Sequence, residues 1–265
     1  MSLDDDGPLP GLLSPRALPW AALALCGVVL FFECTDFDLP AQDLFFDFEK
    51  QKWLLPGPDE SRLADVLFYR GPKILIIALG VLLVALAALP ARIRGRLPRF
   101  TRRWRRVNLL VALLTLGTAP ALVGFVKSAT NVHYPCNIER YGGAVRYVGL
   151  LERFPPGARP ARRSAGFPAG HASGGFALLG LAGVAVTRRG VFAALAAGLG
   201  AGWWMGLYQM ARGMHYLSHT VVSMLLCWLV FLAWRDIARR AHNKLARPPG
   251  TGNCLPRRTE SAAAP

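Results

Sequence analysis

Long apolar segments alternate with short polar ones along this chain, and the apolar segments determine its expected fold. A transmembrane helix needs about 20 mostly apolar residues to cross roughly 30 Å of hydrocarbon. Six segments come close to that length, so the sequence predicts an all-α fold, an integral membrane bundle of six transmembrane helices. They lie at 17–33, 73–91, 107–126, 168–187, 190–211 and 216–234. The fourth is the weakest, because it is rich in glycine and opens with Pro168.

The polar segments differ in charge, and this difference predicts the orientation of the bundle. The segment between the second and third spans holds eight arginines and no acidic residue, whereas 34–72 holds eight acidic residues. Basic loops stay in the cytoplasm, so both termini are expected there, with 34–72, 127–167 and the turn near 212–216 on the outer side. An arginine block also suits nucleic-acid binding. Its position between two spans favours the topological role, and we expect no nucleic-acid partner.

Composition agrees with a membrane domain flanked by charged tails. The chain is 53% apolar with mean hydropathy +0.31, yet its net charge is +15, so the charge lies in separate blocks. We expect a cytoplasmic tail at 1–16, a membrane domain at 17–234, and a basic, disordered cytoplasmic tail at 235–265. Frequent Ala, Gly, Arg and Pro are typical of a GC-rich bacterial genome. The expected location is therefore the bacterial cytoplasmic (inner) membrane, as a multi-pass protein.

The five cysteines do not indicate a metal site. No pair has the C-x-x-C spacing of a structural zinc site. Cys34 and Cys136 both fall on the expected outer side, where they form either a disulfide or two unrelated thiols.

Four of the five histidines fall in three polar islands that the topology places on one outer face. The islands are 127–135, 167–171 and 212–219. In the second, Pro168 suits the first position of a helix, whose free N–H groups at 169–171 would bind an anion. The small residues there also suit helix packing. A lysine, an arginine and histidines at one membrane surface indicate phosphate chemistry on a lipid.

The pair His215 and His219 carries three interpretations. Residues four apart share one face of a helix. The pair suits a metal or haem site, structural hydrogen bonding, or a nucleophilic histidine that a second polar residue orients. The histidines lie near one surface and lack an acidic cluster, which disfavours haem and hard metals.

Together the three islands resemble the motifs of the type 2 phosphatidic acid phosphatase superfamily of integral membrane phosphatases. Those motifs are Lys-x6-Arg-Pro, Pro-Ser-Gly-His and Ser-Arg-x5-His-x3-Asp. Here they take the forms Lys127-x6-Tyr134-Pro135, Pro168-Ala169-Gly170-His171 and His215-x3-His219. Their order, their separations and the six-span layout all match the family.

The chain departs from each motif. Tyr134 replaces the arginine of the first motif, and Ala169 replaces the serine of the second. Tyr208 and Gln209 occupy the Ser-Arg positions of the third motif, and His219 stands where the family has aspartate. Arg212, one turn later, is a candidate for the missing guanidinium. We interpret these departures as an active, distinct subfamily.

The resemblance implies a mechanism without metal or cofactor. His215 attacks phosphorus and forms a phosphohistidine, and His171 protonates the leaving oxygen and then activates water. His219 orients His215. The phosphate is held by a set of binding residues, namely Lys127, Arg212, Tyr134 and the N–H groups of Ala169 and Gly170.

The expected function is hydrolysis of a lipid phosphate or diphosphate at the periplasmic face. Candidate substrates are undecaprenyl pyrophosphate, lipid A, phosphatidylglycerol phosphate and phosphatidic acid. A lipid phosphotransferase of the same family, a haem- or metal-binding histidine protein, and a non-catalytic family member are the alternatives. The sequence does not select the lipid or the oligomeric state.

Overall fold

The computed structural model describes residues 11–14, 16–94, 96, 106–152, 154, 160 and 163–246, and within them the chain is mostly helical. The α-helices are α1 (Ala17–Glu33), α2 (Asp38–Asp43), α3 (Arg62–Ala64), α4 (Gly71–Ala88), α5 (Ala91–Arg94), α6 (Arg106–Ala129), α7 (Gly170–Phe176), α8 (Arg188–Ala211) and α9 (Leu217–Ala246). A π-helix, Asp65–Arg70, joins α3 to α4. Three 3-10 helices lie at Pro135–Asn137, Glu139–Tyr141 and Ala177–Gly183. One antiparallel hairpin pairs β1 (Phe46–Asp47) with β2 (Lys52–Trp53).

Four helical segments of the described chain are long and apolar enough to cross a membrane. They are Arg62–Ala88, Arg106–Ala129, Arg188–Ala211 and Leu217–Leu245. Helix α1 is apolar but has only 17 residues. Four of the six predicted spans therefore coincide with such segments, while the six-span count and the orientation of the termini stay predictions.

The expected fourth span, 168–187, is not one continuous helix. It consists of the seven-residue helix α7 followed by the 3-10 helix. This segment lies in the centre of the bundle, where Ala172, Phe176 and Ala177 are fully buried. A Cβ on Gly175 would lie 2.5 Å from the amide nitrogen of Gly202 in α8, so glycine is what permits the two backbones to approach this closely. This glycine-rich segment is therefore placed in the bundle by close packing against α8, and not by forming one long helix.

The loop after α1, predicted to lie on the outer side, folds over one end of the bundle. Its hairpin packs Phe46 and Trp53 against Tyr141, with ring centroids 5.2 and 5.0 Å from Tyr141 respectively. Arg140 binds Asp43 of α2, with 2.6 Å between Nη2 and Oδ2. These contacts tie the segment before α3 to the segment after α6, so the two segments form one cap.

The end of α9 corrects the expected boundary of the C-terminal tail. Residues 235–246, predicted to belong to a disordered tail, continue α9. Asp236 and Arg240 stabilise this part through an ion pair one turn apart, at 2.7 Å. The remainder of that predicted tail, 247–265, and residues 1–10 of the N-terminal tail lie outside the described residues.

Candidate active site

A cavity of about 700 Å³ opens at the capped end of the bundle and collects most of the predicted site residues. Its polar wall includes Lys127, Tyr134, Gly170, His171, Arg212 and His215. These residues come from the end of α6, the loop after it, the start of α7 and the turn between α8 and α9. The three polar islands, separated by up to 88 positions in sequence, therefore share one cavity.

His215 and His219 are in direct contact behind the wall of this cavity. Their Nδ1 atoms are 3.3 Å apart, and both side chains are buried. Burial lowers the pKa of His215 well below its ordinary value, and the neighbouring His219 and Lys127 act in the same direction. His215 is therefore held neutral, with its lone pair available, and one Nδ1 of the pair donates to the other.

The spacing of the two histidines does not arise from a shared helix. Helix α9 begins at Leu217, so His219 is helical and His215 lies in the preceding turn. Gly213, with φ of +73°, reverses the chain at that turn, a conformation that side chains other than glycine rarely adopt. The prediction of one helical face was wrong, although the two rings still meet.

His171 is held by the π-helix rather than standing free. Its Nε2 lies 2.9 Å from the carbonyl oxygen of Phe68, and its ring stacks on Tyr69 at a centroid distance of 4.6 Å and an angle of 13°. A carbonyl only accepts, so Nε2 carries the proton and Nδ1 is the free ring nitrogen.

Lys127 reaches the cavity from the last turn of α6. Its Nζ lies 5.6 Å from the centroid of the Tyr134 ring, within cation–π range. A Cβ added to Gly170 would lie 3.8 Å from Nζ, so the lysine amine lies beside the start of α7. The Tyr134 hydroxyl donates to the carbonyl of Ala165 at 3.0 Å, so Tyr134 presents its ring to the cavity and its hydroxyl is engaged elsewhere.

One predicted phosphate ligand is placed differently. The Ala169 N–H donates to the carbonyl oxygen of His219 at 3.1 Å, and Ala169 is fully buried. The expectation that this N–H binds phosphate was wrong, because the amide anchors α7 to α9 instead. Gly170 still lines the cavity.

Two cations that the motif analysis missed also line the cavity. Lys73, in the first turn of α4, faces it beside Arg70, whose Nε is 3.0 Å from an Asp65 carboxylate oxygen. Lys73 is near enough, with Lys127 and Arg212, to act on His171 electrostatically. Their position was a signal in the sequence, since basic residues at the end of a span that is predicted to be the outer one run against the usual charge bias.

The cysteines and the metal-binding residue types form no site in the described part of the chain. Cys34 and Cys136 are both free thiols. No group of three or more His, Cys, Asp or Glu side chains among the described residues is arranged to hold a metal ion.

Comparison with known proteins gives one result. The model of the PAP2 superfamily matches residues 108–242, just over half of the chain, and this range includes all three polar islands. Neither the curated proteins nor the solved structures contain a match to this chain.

Proposed function

Because the chain belongs to the PAP2 superfamily, the family of type 2 phosphatidic acid phosphatases, we propose that it hydrolyses a membrane lipid phosphate or diphosphate through a phosphohistidine on His215. The observation that carries the proposal is the cavity itself. It gathers two histidines and the cations Lys127 and Arg212 at one point from three separate parts of the chain. Phosphoryl transfer depends mainly on such positioning and charge stabilisation.

The lower wall of the cavity supports a lipid as substrate. Below the polar residues it is lined by Ile76 and Ile77 of α4, Leu116 and Pro120 of α6, and Met205 of α8. A ligand that fills the whole cavity therefore places a charged group between cations and an apolar chain between helices. A water-soluble phosphate ester would leave this apolar wall without a partner.

In the first step, the lone pair on Nε2 of His215 attacks phosphorus and the bond from phosphorus to the lipid oxygen breaks. Nδ1 of His215 keeps its proton and donates a hydrogen bond to Nδ1 of His219, 3.3 Å away. For this step His171 carries a proton on both ring nitrogens. The departing lipid oxygen takes the proton of Nδ1, and the Nε2–H remains bonded to the Phe68 carbonyl.

In the second step, His171 Nδ1 accepts a proton from water, and the water oxygen attacks the phosphohistidine. The phosphorus–nitrogen bond breaks, phosphate leaves, and His215 returns to its neutral form. Lys127, Arg212 and Lys73 offset the charge of the phosphoryl oxygens in both steps. These cations take the place of the two arginines that the family motifs carry and this chain lacks.

The site faces the outer side under the proposed orientation, so the substrate is a lipid phosphate presented at the periplasmic leaflet of a bacterial inner membrane. The candidates are undecaprenyl pyrophosphate, lipid A, phosphatidylglycerol phosphate and phosphatidic acid. We propose that no metal participates, because histidine, lysine and arginine side chains supply every role in the two steps.

The test is phosphate release from a panel of these lipids in detergent with EDTA. Wild type should release phosphate from at least one lipid, and His215→Ala should release none. His242→Ala is the matched control, because His242 lies near the opposite end of α9 from the site and should retain activity. Loss of wild-type activity in EDTA, or activity in His215→Ala, contradicts the proposal.

A further inference from the structure

A buried carboxylate from the outer loop binds the start of the helix that carries His219. Asp38, the first residue of α2, is 4% exposed. Its Oδ1 accepts from the Ser218 N–H at 2.8 Å, and its Oδ2 accepts from the Ser218 hydroxyl at 2.5 Å. Ser218 directly precedes His219. A carboxylate at this position also interacts favourably with the positive end of the α9 dipole.

Asp38 and His219 also face one small internal space. A cavity of about 20 Å³ is lined by residues that include Asp38, Tyr216, Ser218 and His219. That volume is sufficient for a single water molecule. The Tyr216 hydroxyl is buried and has no hydrogen-bond partner among the described residues. There is therefore room for one water molecule to link the Asp38 carboxylate to the His219 ring, with the Tyr216 hydroxyl beside it.

We propose that Asp38 is a positioning residue for the His215–His219 pair, supplying from the outer loop the negative charge that the family carries at position 219. The inference rests on the proposed function. Attack by Nε2 on phosphorus makes the His215 ring cationic. A neutral His219 stabilises that cation less than a carboxylate does, and a carboxylate behind His219 polarises it in the required direction.

The other charged groups around the pair do not supply this charge. The side chains that act electrostatically on His215 are cationic or neutral, namely Lys127, His171 and His219. Two carboxylates, Asp59 and Asp65, line the same cavity but do not act on His215 in this way, and Asp65 is paired with Arg70 at 3.0 Å. Glu33 lines the small cavity as well, but its carboxylate accepts from the backbone N–H groups of Leu150 and Leu151 at 2.6 and 3.0 Å. Tyr147 and Tyr216 are uncharged at neutral pH, because burial raises the pKa of both hydroxyls.

The first test is Asp38→Asn, which keeps an oxygen that can accept from the Ser218 N–H and removes the charge. We expect kcat to fall about 10- to 100-fold, the loss seen when the carboxylate partner of a metal-bound histidine is removed. KM should change little, since Asp38 does not line the substrate cavity. Asp43→Asn, in the same short helix but paired with Arg140, should keep wild-type activity.

The pH profile separates a role of the charge from a role in folding. Burial raises the pKa of Asp38 to about 6. The wild-type rate should therefore fall as the pH drops through about 6 and the carboxylate is protonated, and this limb should be absent in Asp38→Asn. The double variant Asp38→Asn with His219→Asp returns a carboxylate to the family position, and should recover at least 10-fold of the lost kcat.

If Asp38→Asn has the same kcat as wild type and keeps the fall in rate at low pH, the inference is overturned and the proposed function is left intact. An equal loss in Asp43→Asn would also overturn it, by indicating a general effect of disturbing α2. If wild type releases no phosphate from any lipid, the proposed function fails and the inference falls with it.

Discussion

The buried carboxylate of Asp38 should make the stability of the folded protein depend on pH. Burial raises its pKa from 3.8 to about 6, although both Ser218 hydrogen bonds act in the opposite direction. The folded state therefore binds the proton more tightly than the unfolded chain, and ionisation destabilises it. A pKa rise of this size corresponds to about 3 kcal/mol. This contribution of Asp38 to the free energy of unfolding is fully present below pH 3.8 and is lost as the pH rises through about 6.

Asp38→Asn removes this dependence, because the amide carries no charge at any of these pH values. Unfolding free energies of wild type and variant, measured in detergent at pH 4 and pH 7, isolate the contribution of this one group. From pH 4 to pH 7, the free energy of unfolding of the variant should increase by about 2 kcal/mol relative to that of wild type. Asp43→Asn should show almost no change between these two pH values, because the Arg140 hydrogen bond lowers the pKa of Asp43 and its contribution is lost only as the pH falls below 3.8.

A stability difference between wild type and Asp38→Asn that stays constant with pH, or that moves in favour of wild type as the pH rises, would refute this reasoning. If the variant is more stable at pH 7 and less active, the carboxylate is retained at a cost to stability. That combination is expected of a functional site and not of a scaffold residue.

Two further predictions concern the cavity and the helix packing beneath it. Lys73→Ala should lower kcat/KM about 10-fold, because a charge-assisted phosphate contact contributes about 1.5 kcal/mol. Lys50→Ala, which removes an exposed lysine on the hairpin turn, should leave kcat/KM unchanged, and equal values for the two variants would contradict the assignment of Lys73 to the cavity. Gly202→Ala should destabilise the protein by about 1–3 kcal/mol in thermal unfolding, because the added methyl overlaps the Phe176 ring. Gly200→Ala, whose Cβ would meet nothing within 4 Å, should be neutral, and equal melting temperatures for the two glycine variants would count against the packing argument.

The apolar pattern predicted the long helices well, because the length and apolar composition of such a helix depend on one segment of the chain alone. Helices α6, α8 and α9 all coincide with predicted spans. The pattern failed at 168–187, where the structure depends on which helix lies opposite. Gly175 meets Gly202 across the interface. The small residues of the segment indicated close helix packing, but the partner helix depends on residues outside the segment.

The polar islands that carry the family motifs all contribute residues to one cavity, and the match to residues 108–242 confirms the family that those motifs indicated. Asp38, Phe68 and Lys73 could not be identified in this way. Their positions depend on how the outer loop and the π-helix fold over the bundle. The contact of the Ala169 N–H with His219 was likewise invisible, because a backbone hydrogen bond between distant segments leaves no mark in the sequence.

The most direct test of the central claim is to trap the covalent intermediate. The protein is mixed with a lipid phosphate labelled in the phosphoryl group, quenched in alkali to preserve phosphohistidine, digested and analysed by mass spectrometry. This mechanism predicts a phosphoryl group on the peptide that contains His215 in wild type, and none in His215→Ala. Phosphate release without any labelled histidine, or a label on a different residue, would contradict it.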